Sequence, residues 1–307
     1  MVHIFLTGAS GYIGSVVVDL ALKAGHSVRG LARSEASAAK LRAKGVEPVI
    51  GDLFSLDVLA AEAKKADAVL HLAFIHDFDK YDEAVAQDQR VIATFTEALA
   101  GTNKVLVVTS GTGVLQDTGD MIADERTAIQ PGGGAAERAI AEQMCVQAAS
   151  RGIRSAVMRL SLHVYGRNGS HFIPIQIATA EKDGVARYIG EGSNVTTVVH
   201  VDDVAAAFVL AVEKPFTPGT IFHLGDKYDT GMTGKKIAEA IAQRLSLSQV
   251  QSVSFEEASV VWGPFLAWAF SLTNQYSSGL AEKELGWSVP EGRSVLKYIA
   301  ESGRVEA

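Results

Sequence analysis

Cysteine is nearly absent: Cys145 is the single one in 307 residues, so no disulfide can form within the chain. That fits a reducing compartment, and the expected location is cytoplasmic. Cys145 itself reads as a small core residue of a helix. Long apolar runs are missing too. Residues 260–272 come nearest, but they are too few for a bilayer and contain Gly263 and Pro264. The apolar start at residues 2–6 is too short for a secretory signal. No membrane partner is expected. Blocks of one charge sign do not occur: 28 Lys and Arg face 35 Asp and Glu, a net charge of -7. A nucleic-acid partner is therefore not expected, because a phosphate backbone selects clustered cations. What the chain does have is 48% hydrophobic and 21% charged residues, enough apolar surface for a large core.

Strand and helix periods alternate through the first half. Strands are expected at 2–7, 26–32, 46–50, 68–73, 104–109 and 152–159. Helices are expected at 12–24, 35–44, 56–65, 81–100 and 135–149. Such repeated units predict a doubly wound α/β fold, a parallel sheet with helices on both faces. The second half is less regular. It offers a turn or short strand running into a helix at 198–212, a strand at 220–224, and helices at 233–245 and 280–284. The expected division is a nucleotide-binding Rossmann domain over 1–165 and a smaller C-terminal substrate lobe over 166–307, interleaved with the main sheet.

The most informative segment is Thr7-Gly8-Ala9-Ser10-Gly11-Tyr12-Ile13-Gly14, directly after a strand and at the start of a helix. In that context Gly8 permits a tight turn, Gly11 lets backbone approach a pyrophosphate, and Gly14 lets the helix pack closely on the sheet. Free N–H groups and the helix dipole then hold the phosphates. The second strand ends Gly30-Leu31-Ala32-Arg33-Ser34. An acidic residue at its end would bind a ribose 2′-hydroxyl; here Ala32 stands there and Arg33 follows, which suits a 2′-phosphate. The expected cofactor is NADP(H).

These residues resemble the extended and atypical branches of the short-chain dehydrogenase/reductase superfamily, the epimerase/dehydratase-like group. The resemblance extends through Gly51-Asp52-Leu53, His71-Leu72-Ala73, Arg159, Val164-Tyr165-Gly166 and Val199-His200-Val201-Asp202-Asp203-Val204. It implies that Asp52 and Leu53 contact adenine and that Leu72, Ala73 and Phe74 line the cofactor. It implies a homodimer through helices near 81–100 and 135–149. The family's catalytic pair is Tyr-x-x-x-Lys, and no tyrosine of this chain is followed by lysine four positions later. With the register anchored on Glu142, the Tyr position falls at Gly134 and the Lys position at Arg138, which could still bind ribose. The family's serine falls at Gly111, with Ser110 and Thr112 beside it as hydroxyl candidates or as loop hydroxyls bonding backbone. Its asparagine falls at Asp88, which could orient water or ribose, or pair structurally.

A replacement proton donor is sought in Tyr165 and His163, which flank the segment beside the nicotinamide in the family picture. Imidazole titrates near neutrality, and either side chain could instead simply be packed. In the loop 74–79, which reads equally as a mobile polar loop, Phe74 and Phe78 are candidates for substrate contact and His76 or Asp77 for positioning it; His171 and Phe172 are further candidates to reach the pocket. Trp262, Phe265, Trp268 and Phe270 form an aromatic stretch that reads as core, interface or a lid over an apolar substrate. His200 with Asp202 and Asp203 reads as a strand-to-helix junction, and no metal is expected. The leading expectation is an NADPH-dependent oxidoreductase acting on a C=O, C=N or C=C bond of a small, partly apolar molecule. One alternative is a sugar epimerase or dehydratase with a retained cofactor, for which Arg187 would serve a sugar nucleotide. The other is a non-catalytic NADP(H)-binding redox sensor.

Overall fold

The computed structural model describes residues 1–76, 80–129, 133–169 and 171–301. The first half alternates β1 (His3–Thr7), α1 (Tyr12–Lys23), β2 (Ser27–Ala32), α2 (Glu35–Ala43), β3 (Glu47–Ile50), α3 (Leu56–Lys65), β4 (Ala68–His71), α4 (Tyr81–Leu99), β5 (Val105–Gly111), α5 (Gly133–Gln147) and β6 (Arg154–Leu160). A 3-10 turn, Thr112–Leu115, continues β5. The second half runs β7 (His163–Tyr165), α6 (Phe172–Asp183), β8 (Ala186–Ile189), β9 (Val195–Thr196), β10 (Val198–His200), α7 (Val201–Glu213), β11 (Thr220–Leu224), β12 (Met232–Thr233) and α8 (Gly234–Leu245). It ends with β13 (Val250–Val253), α9 (Phe255–Trp262), α10 (Pro264–Ser271), α11 (Gly279–Leu285) and α12 (Val295–Glu301).

The main sheet has seven parallel strands in the order β11-β6-β5-β4-β1-β2-β3. The chain leaves β1 toward β3, then returns to place β4 on the other side of β1. Helices diverge at that reversal and open a crevice at the carboxyl ends of β1 and β4, where open α/β sheets bind ligands. The strands are short and apolar because both faces are covered. On one face Ile4 and Leu6 pack with Val16 and Val17 of α1 and with Ala205 and Phe208 of α7. On the other, Phe5 and Val69 pack with Leu59 of α3, Phe95 of α4 and Ala141 and Cys145 of α5. Each large apolar side chain buried in this way contributes about 1.5–3 kcal/mol.

The chain re-enters this body late: α7 covers α1, and β11 pairs with β6 at the sheet edge. The remaining C-terminal residues form a lobe of short pairs, β7 with β10, β9 with β12, and β8 with β13. Its core is built from α6, α8 and α12 around Ile173, Ile177, Ile237, Ile241 and Ile299. The sequence reading did not find α6. Pro174 sits in its first turn, where a missing N–H costs nothing, and buried Ile173, Gln176, Ile177 and Ala180 follow the helical period.

Candidate active site

The site begins with backbone. Gly8 has φ 74°, and a Cβ there would stand 2.8 Å from the Ala73 nitrogen at the end of β4. A Cβ on Gly14 would stand 2.1 Å from the Gly8 carbonyl oxygen, so α1 lies against the turn as only glycine permits. The Gly11 N–H donates to the Gly8 carbonyl at 2.9 Å and closes the turn. Gly11 caps α1 without any side-chain hydrogen bond, leaving first-turn N–H groups of Tyr12, Ile13 and Gly14 facing the crevice. This is a cradle for an anion that a single methyl group would fill, and a dinucleotide pyrophosphate fits it. Ser10, Tyr12 and Ile13 are half-buried around it. Tyr12 Oη donates to the Gly166 carbonyl at 2.9 Å, tying the turn to the C-terminal lobe.

At the other end of the crevice, Arg33 and Ser34 follow β2 and are exposed. Ser34 Oγ accepts from the Ser37 N–H at 3.2 Å and caps α2, whereas Arg33 has no ion pair among the described residues. Asp52 Oδ1 accepts from the Phe54 N–H at 3.0 Å and from Ser55 Oγ at 2.8 Å. Leu53 is buried, and its carbonyl accepts from Gln87 Nε2 at 2.6 Å.

On the opposite side of β1, a buried polar chain runs through β4 toward β5. Thr7 Oγ1 lies 2.7 Å from His71 Nδ1 and accepts from the Ala73 N–H at 3.2 Å. His71 Nε2 lies 3.0 Å from Asp88 Oδ1, and Arg138 Nη1 donates to Asp88 Oδ2 at 2.9 Å. Arg138 Nη2 donates to the Thr109 carbonyl at 2.6 Å. The carboxylate only accepts, so His71 carries its proton on Nε2, and in the neutral ring Nδ1 accepts from the Thr7 hydroxyl. Burial alone would raise the Asp88 pKa, but the Arg138 guanidinium and His71 more than offset it and hold the carboxyl below its ordinary value. Thr7, Asp88 and Arg138, read from sequence as separate candidates, thus form one array. Its fourth member, His71, was legible only as a neighbour of Leu72 and Ala73. Those two are half-buried beside the cradle, as is Phe74, over whose ring the Arg138 guanidinium stacks at 4.3 Å.

The remaining candidates are spread more widely. Ser110 is buried with its hydroxyl unpartnered among the described residues, on the strand position paired with Arg159. Arg159 is itself neutralised by Glu142, its Nη2 donating at 2.6 Å. Thr112 Oγ1 donates to the Leu160 carbonyl at 3.2 Å, and Asn274 Nδ2 donates to the Thr112 carbonyl at 3.0 Å. His163 is buried, edge-on to Phe172 at 5.9 Å and stacked on Phe270 at 6.1 Å. Burial lowers its pKa to about 4. Tyr165 packs in the lobe against His200 at 5.2 Å and Tyr298 at 5.5 Å, its phenol raised by burial and by Asp229 and Asp226. No hydrogen bond or ion pair joins Tyr165 or His163 to Ser110, Thr112 or Asp88 among the described residues. Asp77, Phe78 and Asp79 lie outside the described residues. His200 caps α7, its Nδ1 accepting from the Asp202 N–H at 3.1 Å.

The model of the NAD dependent epimerase/dehydratase family matches residues 4–225, from β1 through β11. The chain belongs to this family. It is 42% identical over 285 residues to protein C2A9.02 of Schizosaccharomyces pombe, covering 93% of this chain and 94% of that protein. It is 29% identical over 229 residues to a 4-hydroxy-2-methyl-3-oxo-4-farnesyl-3,4-dihydroquinoline-1-oxide ketoreductase of Stigmatella aurantiaca, covering 72% and 67% of the two chains. The fold is similar to that of DesIV, a dTDP-glucose 4,6-dehydratase of Streptomyces venezuelae solved with NAD, with TM-score 0.79, 21% identity, and 98% and 95% of the two chains covered.

An aromatic wall stands over the carboxyl end of the sheet. Trp268 of α10 lies over Gly113 of the 3-10 turn, where a Cβ would come 3.2 Å from its ring. Phe265 of the same helix meets Tyr81, the first residue of α4, with ring centres 6.0 Å apart. Trp262 of α9 is edge-on to Phe270 at 5.3 Å. The stretch read as core, interface or lid therefore bridges the lobe to the carboxyl end of the main sheet. His76 and His171 stack at 6.1 Å near Phe74. Arg187 donates to Asp183 at 2.6 Å. Tyr81 was missed by the sequence reading, although its place at a helix start after β4 was a usable signal.

Proposed function

We propose that the protein is an NADPH-dependent reductase of a small, partly apolar organic molecule, acting on a C=O, C=N or C=C bond. The observation that carries this reading is the run of contacts from the glycine cradle, where Gly8 abuts Ala73, through Phe74 and Tyr81 to Phe265 and Trp268. The aromatic side favours flat apolar substrates over a sugar nucleotide, and Arg187 is already engaged by Asp183. A bound nicotinamide supplies the hydride. The first-turn N–H groups of α1 hold the pyrophosphate, and exposed Arg33 pairs with a 2′-phosphate. Asp88 and His71 fix the Arg138 guanidinium, which stands at the position of the family's lysine and orients the ribose. The aromatic wall excludes water from the reacting bond.

The test is NADPH consumption with a panel of ketones, aldehydes, imines and enones, with NADH alongside. Turnover of one class is expected. Arg33→Ala should weaken NADPH binding at least about tenfold, the loss of one charge-assisted fork, and NADH binding little. Equal losses for both nucleotides would sink the NADP assignment. A tightly retained cofactor that recycles without net consumption would favour an epimerase instead.

A further inference from the structure

A reductase needs a proton donor, and Gly134 stands where the family places its tyrosine. Most phenols of the described residues are committed elsewhere. Tyr12 Oη donates to Gly166, Tyr298 Oη to the Gly169 carbonyl at 3.2 Å, and Tyr276 is bonded to Ser161 and to the Leu224 carbonyl. Tyr165 also has an unpartnered hydroxyl among the described residues, but its ring is enclosed in the lobe against His200 and Tyr298; Tyr188 lies under Lys235, and Tyr228 is exposed beside Lys227. Tyr81 differs. It is half-buried at the start of α4, and its hydroxyl has no hydrogen bond among the described residues. Its ring stands 6.0 Å from Phe74 and 6.0 Å from Phe265. Phe74 in turn carries the Arg138 guanidinium at 4.3 Å. Arg138, Phe74, Tyr81 and Phe265 thus form one row from the cofactor side of the crevice to the lobe.

We propose that Tyr81 is the catalytic acid, donating its Oη proton to the oxygen of an aldehyde or ketone whose apolar body rests against Phe74 and Phe265. This rests on the reductase reading above. Hydride from the reduced nicotinamide adds to the carbonyl carbon and the C=O π pair moves to oxygen. That oxygen takes the Tyr81 proton as the phenolic O–H bond breaks, and the nicotinamide is left oxidised. The phenolate then recovers a proton from water. Four charged groups act on this phenol: Arg138 and Glu137 from α5, Asp88 and Asp82 from α4. Burial raises its pKa and Arg138 opposes that rise, so Tyr81 stays protonated at neutral pH while its anion has a cation beside it.

Two measurements on the whole protein test this. In the first, tyrosine is labelled at 13Cζ, the Tyr81 signal is identified from Tyr81→Phe, and its titration is followed with NADPH and then with NADP+ bound. The oxidised ring carries one more positive charge, so the phenol should titrate at least about half a pH unit lower with NADP+, the effect of a unit charge at close range through water. In the second, Tyr81→Phe should lower kcat about a hundredfold or more on the carbonyl the wild type reduces, with NADPH affinity unchanged. Unchanged affinity also reports an intact fold, since the variant keeps both ring contacts. Identical titrations in the two redox states, or full turnover by Tyr81→Phe, would overturn the assignment while leaving the reductase reading in place. So would a loss confined to Tyr165→Phe or His163→Ala. A wild type that binds NADPH but reduces no carbonyl would overturn the reductase reading, and the assignment with it.

Discussion

The two sides of the crevice are built on different terms. The N-terminal side is backbone: a turn of three glycines, free N–H groups, and backbone contacts within about 70 residues of chain. The C-terminal side is side chain: Trp268, Phe265 and Asn274 reach back over more than 150 residues to Gly113, Tyr81 and Thr112. Backbone cradles demand particular residues at fixed spacing and tolerate no substitution, whereas a wall of rings can be assembled from many places. On the proposed function, the first kind holds the cofactor and the second sets which substrate fits.

The comparison breaks most sharply at Gly14. Gly14→Ala puts a methyl 2.1 Å from the Gly8 carbonyl oxygen, so the turn must move. NADPH affinity, followed by fluorescence titration, should fall at least about a hundredfold, near 3 kcal/mol. Wild-type affinity would show that the cradle does not hold the nucleotide. Next comes Asp88→Asn, which strips the buried Arg138 charge of its carboxylate and should cost about 3 kcal/mol of stability. Asp88 is held below its ordinary pKa, so its contribution is complete above the unfolded carboxylate value of about 4 and is lost as pH falls through the lowered folded value. Urea midpoints measured from about pH 5 downward should therefore drop less steeply in the variant than in wild type.

The smallest effect belongs to the lobe. His163 is buried neutral with its pKa lowered to about 4. Below about pH 6.5 the unfolded chain binds a proton that the folded one refuses, so stability falls as pH drops from there toward the folded value. His163→Phe should keep the stability that the wild type loses over that window. Equal pH slopes would mean that the imidazole is hydrated in solution.

The same contrast explains what the sequence could disclose. From β1 to β6 each short apolar strand and each helix is closed by a local turn signal, so alternation alone yields the parallel sheet. The cradle residues could be named because their spacing is the mechanism. The array of Thr7, His71, Asp88 and Arg138 could not be assembled, since only pairing of β1 with β4 and packing of α4 on α5 bring them together. Tyr165 shows the reverse. Its neighbours in sequence placed it beside the nicotinamide in the family picture, while the pairing of β7 with β10 sets its ring on His200. The short strands β8, β9, β12 and β13 escaped because two to four residues carry too little periodicity to register.

The late position of β11 has a consequence for biosynthesis. It covers the β6 edge of the main sheet, yet the chain reaches Leu224 only about sixty residues after β6 ends at Leu160. At roughly 5–20 residues per second, a nascent chain carries that bare parallel edge for roughly 3–13 s before its own strand can arrive. During those seconds α7 must also emerge to cover α1. The interval in which this protein most needs shielding from other chains is thus fixed by the order in which the ribosome delivers its strands.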